Sequence, residues 1–366
     1  MAGSSYGDVF RVTTFGESHG AAVGVVVDGC PAGLPLEKEY IQSFLDRRKP
    51  GQSRFTTERK ESDQVEILSG VFEDQTLGTP IAMLIRNEDQ HSKDYSDLKD
   101  VYRPGHADYC FDKKYGIRDH RGGGRSSGRE TAARVAAGAV AEKLLSGLGI
   151  EFKAFARAIG PFKVPDEITD FSESLNNPLG LPDHDTYTEA AEYVERLKQK
   201  GNSAGGVVEC RIEGLPVGLG ETVFDKFDAE LSKAVMSIGA VKGIEIGDGF
   251  RAAESNGFDN NDFFIKDGDR IKKETDHSGG TLGGMSDGST VILRAAFKPT
   301  PSISQPQKTV DILGEEKEII IKGRHDPLVV PRAIVVVESM AAIVTADLLL
   351  RNLASKYSDV LEHYKI

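Results

Sequence analysis

The chain has 366 residues, 39% hydrophobic and 28% charged, with 57 Asp and Glu against 45 Lys and Arg for a formal charge of -12. That is ordinary for a globular chain with a sizeable core, and it withholds the positive field that nucleic acid or a membrane surface requires. Cys30, Cys110 and Cys210 are solitary, which argues for a reducing compartment and against a disulfide framework.

The N-terminal stretch MAGSSYGDVFRV has no basic region followed by an apolar run, so no secretory leader is expected and a cytoplasmic protein is. DVFRVTTF (8–15) and AAVGVVVDG (21–29) are rich in β-branched and aromatic residues and predict two strands joined by GESHG. After the turn CPAGLP, residues 36–49 carry apolar side chains at helical spacing. DQVEILSGVF and TPIAMLIRNED predict further strands, and 88–116 a long ordered loop with some helix. A capping box, Ser127-x-x-Glu130, opens a predicted helix that runs to about Ser146, with an Ala and Val face suited to close packing. The proline-bearing stretch 161–187 is a connection.

YTEAAEYVERLKQK predicts an amphipathic helix, AGGVVECRIEG a strand and VFDKFDAELSKAVMSI a second amphipathic helix. Short strands and glycine- and proline-rich loops alternate over 258–322. The apolar run 331–353 contains Glu338 and Asp347, either of which is costly at a bilayer centre. With Pro331 at its start and Arg351 near its end, it reads as a helix buried in a core or at a subunit interface.

VVVDGCPAGLPLEKEYIQSFLDRR and VECRIEGLPVGLGETVFDKFDAELSKAV share a strand, a [DE]-G-x-P-x-G-L turn and a helix. This is either a chance likeness or the trace of two related halves, about 1–160 and 188–366, sharing one core. A single interwoven α+β unit over 1–366 is the expectation.

Cations gather despite the acidic balance. Residues 47–60 hold Arg47, Arg48, Lys49, Arg54, Arg59 and Lys60 against Glu58, and 117–134 hold five arginines among Gly122, Gly123, Gly124 and Gly128. Any one run could be a solvated face. Arginine, however, pairs bidentately with phosphate and carboxylate, glycines let backbone approach a ligand, and the first N–H groups of a helix after Ser126 and Ser127 can meet an anion. SGGTLGGMSDG and SIGAVKG are simple turns or backbone cradles for a flat ligand.

Of eight histidines, His19 in GESHG and His106 in PGHAD lie in short glycine-flanked loops; they are structural or they move protons. No histidine pair has metal-ligand spacing, and neither a GxxxxGK[ST] loop nor a GxSxG elbow occurs. GxGxxA in IEIGDGFRAA lacks the long helix of a dinucleotide site. The residues alone describe an enzyme for a small phosphorylated ligand, with arginine clamps and one or two histidine acids or bases.

TTFGESHG, LDRRKPGQSRFTTERKESDQVEILSGVF, YRPGHADYCFDKKYGIRDHRGGGRSSGRETAARVAAGA, MSIGAVKGIEIGDGF, GGTLGGMSDG and KGRHDPLVVPRA together closely resemble the chorismate synthases. The resemblance spans nearly the whole chain. It implies a lyase that eliminates phosphate from 5-enolpyruvylshikimate 3-phosphate in the anti-1,4 sense, using reduced FMN without net redox change.

It further implies a β-α-β sandwich with helices between two antiparallel sheets, and a homotetramer. By resemblance, His19 is the acid near the leaving phosphate, His106 protonates or stabilises reduced flavin near N1, and Asp326 and Ser18 form a relay near N5. Arg48, Arg54, Arg129 and Arg324 would hold the substrate's anions. Arg125, Ser126, Ser127, Gly239, Ala240, Gly283, Lys298, Pro299, Thr300, Pro301, Ser302 and Arg324 would hold FMN. Some members reduce their flavin with NADPH; no separate reductase domain is visible here, so an external flavin reductase is expected. A non-catalytic phosphate- or nucleotide-binding module and an ordinary flavin oxidoreductase are the alternatives.

Overall fold

The structure, a computed structural model, describes residues 3–57, 61–88, 98–321 and 326–365. The first part of the chain supplies β1 (Ser5–Tyr6), β2 (Arg11–Gly16), β3 (Ala22–Asp28), β4 (Val65–Ile67), the hairpin β5 (Val71–Phe72) and β6 (Gln75–Thr76), and β7 (Ile81–Arg86). Its helices are α1 (Lys38–Arg48), α2 (Asp108–Tyr115) and α3 (Thr131–Ser146). The second part supplies β8 (Glu151–Ile159), β9 (Phe162–Lys163), β10 (Gly206–Glu213), β11 (Val241–Ile246) and the hairpins β12 (Phe264–Asp267)–β13 (Arg270–Lys273) and β14 (Thr281–Leu282)–β15 (Met285–Ser286). These are followed by β16 (Val291–Phe297), β17 (Gln307–Val310) and β18 (Glu316–Ile319). Its helices are α4 (His184–Gln199), α5 (Phe227–Met236), α6 (Gly257–Asn260), α7 (Val330–Asn352) and α8 (Tyr357–His363).

The fold is α+β. Two five-stranded antiparallel sheets form, in the orders β1-β2-β3-β7-β4 and β11-β16-β10-β8-β9. Strand periodicity sets their inner faces: Val291, Leu293, Ala295 and Phe297 of β16 are buried and alternate with partly exposed residues. α3 packs on β3 and β7, α7 packs on β8 and β10, and the two helices pack on each other. Small side chains permit that approach. Gly138 of α3 meets Ser339 of α7 so closely that a Cβ at 138 would collide with it. Each large apolar side chain enclosed in this core contributes roughly 1.5–3 kcal/mol.

α7 is long and apolar enough to cross a membrane, yet it is largely buried inside the protein. Its two acids explain how. Glu338 receives both terminal nitrogens of Arg47 at 2.5 and 2.7 Å. Asp347 Oδ1 accepts the successive backbone N–H groups of Asp8, Val9 and Phe10 at 3.0, 2.7 and 2.9 Å. Both charges are therefore satisfied within the core.

Several local expectations change. β8 was not foreseen, because alanines interrupt its pattern of large side chains. α4 begins at His184, earlier than the apolar pattern indicates, since Asp183 caps it by accepting Thr186 N–H at 2.8 Å. The capping box forms only in part. Ser127 Oγ accepts Arg129 N–H, but the Glu130 carboxylate turns to Arg134 and Thr14. Two tight turns, Gly124–Ser126 and Gly128–Glu130, therefore precede α3.

Glu142 of α3 lies near Glu338. Burial, then the charge of Glu338, pushes its carboxyl up to about 8 against the pull of Arg47. The folded value exceeds the ordinary 4.5, so stability from this proton is whole below the lower value and is lost as pH rises through the upper one. Urea unfolding of Glu142→Gln should match the native chain near pH 5 and exceed it by on the order of 2 kcal/mol at pH 9. Parallel pH profiles would count against this.

Candidate active site

The β2–β3 turn buries Ser18 and His19; the histidine is 8% exposed. Ser18 Oγ lies 3.1 Å from His19 Nδ1. The imidazole rests on Gly122, where a Cβ would fall well inside contact distance of Nδ1 and Cε1. The glycine run thus makes room for a histidine as well as bending the chain. Arg125 ties the turn to β2, donating to Gly16 O (3.1 Å), Thr14 O (3.2 Å) and Thr14 Oγ1 (2.6 Å). Ser126 Oγ donates to Gly123 O at 2.7 Å.

Behind this turn, Asp63 joins two arginines. Its Oδ2 accepts Arg48 Nε and Nη2 at 3.1 and 2.7 Å, and its Oδ1 accepts Arg129 Nη1. Arg48 Nη1 also donates to Gly128 O at 3.1 Å, fixing the start of α3 from α1. Arg48 is only 1% exposed. Burial pulls its guanidinium down to about 10; Asp63 opposes this, while Arg332 and Arg129 add to it. It still carries its charge at neutral pH. Arg54 is set apart, exposed, with its guanidinium carbon 4.8 Å from the centre of the Phe55 ring. Arg324 lies outside the described residues.

Asp326 accepts Thr57 N–H at Oδ1 (2.8 Å) and Arg332 Nη1 at Oδ2 (2.5 Å), and Arg332 Nε donates to Arg48 O at 3.1 Å. Among the described residues, no hydrogen bond joins Asp326 to Ser18.

His106 contributes a second imidazole. Its Nδ1 is 2.9 Å from Pro104 O, which can only accept, so Nδ1 carries the proton. Nε2, 2.9 Å from Ser302 Oγ, then accepts the hydroxyl proton. Burial, then the Arg103 cation, lowers His106 to about 4, so it is neutral at neutral pH. The 298–302 loop presses on this segment. Lys298 Nζ donates to Gly105 O at 3.0 Å, and a Cβ at Gly105 would lie 2.7 Å from Pro301 Cβ.

Lys298 N–H binds Ala240 O at 2.9 Å, Ala240 itself sitting at φ +75°. Ser203 Oγ holds Thr300 O at 2.7 Å. Arg134 of α3 donates to Ser237 Oγ at 2.6 Å, bringing the end of α5 and the adjoining Gly239 toward the glycine turn. Gly283 does not join them. Gly284 O accepts Phe227 N–H, so this turn lies at the opposite end of α5, about 15 Å away for ten residues at 1.5 Å each.

The sequence reading missed Asp63, Arg332, Arg103 and the role of Gly122. A cation, several hydroxyls and a neutral imidazole around the 298–302 loop suit the phosphate and ring carbonyls of a flavin nucleotide; Gly283 stands off from that loop.

One buried and one half-buried imidazole among acid-backed arginines define an enzyme that grips small anions and moves protons. Known proteins make the class specific. Residues 10–350 match the chorismate synthase family. The chain is 62% identical to chorismate synthase of Agathobacter rectalis and 55% identical to that of Lachnospira eligens, in each case over all of both chains. A crystal structure of chorismate synthase aligns with a TM-score of 0.76 at 34% identity, covering 98% of this chain and 97% of that one.

The chain belongs to the chorismate synthase family. It is a lyase of the shikimate pathway that forms chorismate from 5-enolpyruvylshikimate 3-phosphate, with reduced FMN as its cofactor.

Proposed function

We propose that His19 supplies the proton that stabilises the departing phosphate, and that the observation carrying this role is its enclosed seat on Gly122 beside Ser18. To act as the acid the ring must be the imidazolium, protonated at both nitrogens: Nδ1 then donates to Ser18 Oγ, and Nε2 carries the proton offered to the phosphate. Charge grows on the phosphate as the carbon–oxygen bond breaks, so donors already in place lower the barrier. Arg129, with Arg48, Arg54 and Arg324, holds the substrate's anions, each charge-assisted bond adding about 1.5–3 kcal/mol.

Reduced FMN supplies electron density as the phosphate leaves. Arg125, Ser126, Ser127, Gly239, Ala240, Arg324 and the Lys298–Ser302 loop would hold it, with His106 near N1. Ser18 and Asp326 would hold the ring proton near N5. In the described residues Asp326 is bonded to Arg332 and Thr57, so the relay requires substrate or cofactor to bridge it to Ser18.

The sandwich of two related halves has its own support. Read from β9, the second sheet runs β9-β8-β10-β16-β11, the counterpart of β1-β2-β3-β7-β4 in the first. α1 and α5 follow matching strands, as do the hairpins β5–β6 and β14–β15. We assign the chain to a cytoplasmic homotetramer, where a second copy could carry Gly283 to a flavin.

Anaerobic turnover tests the scheme. With catalytic reduced FMN, one phosphate should appear per chorismate while the flavin stays reduced. Protein alone should not oxidise NADPH, which leaves reduction to an external flavin reductase. One reductant consumed per product would indicate an ordinary oxidoreductase, and ligand binding without turnover a binding module.

A further inference from the structure

We propose that Asp63 is a positioning residue of the anion site: its one carboxylate fixes the guanidinium planes of Arg48 and Arg129 and offsets part of their positive charge. The proposal rests on the reading that Arg129 meets the substrate's anionic groups.

The side chain is 0% exposed and both its oxygens are used. Each guanidinium is also held from its far side. Arg48 Nη1 binds Gly128 O, while Arg129 Nε binds Asn87 Oδ1 and Nη2 binds Arg86 O, both at 2.8 Å. A planar fork gripped at two edges cannot rotate. Arg129 Nη1 and Nη2 each make one of the two hydrogen bonds available to them, so the fork keeps capacity for a ligand.

The backbone at Asp63 is left-handed, with φ +50°, and its carbonyl is held by Gln42 Nε2 at 3.2 Å. Non-glycine residues keep such conformations where the surroundings over-determine them, often at functional sites. Burial would raise this carboxyl, but Arg48 and Arg129 overcome it and keep it ionised.

The neighbourhood repeats this logic more weakly. Glu61 Oε2 lies 3.9 Å from Arg129 Nη2, and Asp326 backs Arg332. An acid behind Arg48, Arg129 and Arg332 tempers the attraction for free phosphate, so the product of elimination can leave. It also holds the forks still, so that binding is spent on the reacting geometry.

Asparagine accepts left-handed backbone, so Asp63→Asn removes the charge without straining the turn. Orthophosphate should bind this variant about tenfold more tightly by calorimetry, an advantage that salt erodes. With substrate and reduced FMN under anaerobic conditions, kcat should fall by about tenfold or more while KM does not rise. A residue that only supports the fold would weaken orthophosphate binding and leave kcat per folded site unchanged; that result overturns the proposal.

Asp63→Glu restores the charge but not the geometry. It should bind orthophosphate within about twofold of the native chain yet still lose kcat. If it tightened orthophosphate as much as the asparagine would, or kept full kcat, the proposal fails even where Asp63→Asn does not fold. Arg129→Gln separates the underlying reading. Orthophosphate affinity unchanged in that variant removes Arg129 from the anion site and takes the proposal with it. Affinity lost there but unaltered in both Asp63 variants sinks the proposal alone.

Discussion

His106→Ala should lower kcat by about 10²–10⁴-fold, with a much smaller change in substrate affinity. The ring is held at both nitrogens, donating to Pro104 O and accepting from Ser302. It therefore enters the reaction with fixed orientation and tautomer. Burial and Arg103 keep it neutral, with a pKa of about 4. To protonate or stabilise an anionic flavin it must gain a proton as the anion arrives. The sign follows directly: an approaching negative charge favours imidazolium, so cofactor binding must raise the His106 pKa.

Imidazole resonances should titrate near pH 4 in the protein alone and at clearly higher pH with FMN bound. A titration that does not move with FMN, or near-native kcat in the alanine variant, would remove His106 from the mechanism. Alanine leaves the Ser302 hydroxyl without its acceptor at a half-buried position, so some stability is lost as well, about 1–3 kcal/mol. Measuring kcat per folded protein separates the two effects.

How much of this was legible in the sequence depends on whether the signal was local. β2, β3, β10 and α7 announce themselves by composition and period, and the glycine–arginine turn by its residues. Partners distant in sequence do not. The consecutive Arg47, Arg48 and Lys49 look like one basic cluster, but helical geometry turns them about 100° apart. One reaches Glu338, the next Asp63 and the third Asp46. Arg48 is expected as an anion clamp, but its sequence neighbours do not show that it is buried on Asp63. Asp63 gives no sequence signal because its value lies in two arginines, one 15 and one 66 residues away. Gly283 was grouped with residues that one copy of the chain does not bring near it.

Gly122→Ala should cost activity on the scale of His19→Ala, again about 10²-fold or more, while changing little else. Gly122 lies outside the left-handed region, so alanine suits its backbone and the methyl group is the whole perturbation. That methyl would occupy the space now filled by His19 Nδ1 and Cε1. Ring and methyl cannot coexist; the imidazole must swing away from Ser18 and from the position where an acid meets the leaving group. A displacement of about 1 Å is enough to cost about 10²-fold in rate.

Because both substitutions disable the same group, their effects cannot add. The double variant Gly122→Ala/His19→Ala should be no slower than His19→Ala alone, giving a coupling energy nearly equal to the whole effect of Gly122→Ala. Additive losses would mean that Gly122 serves the reaction through the backbone of its turn, and the seat would not be what protects the acid. Glycine would then be required at 122 for a reason unrelated to His19.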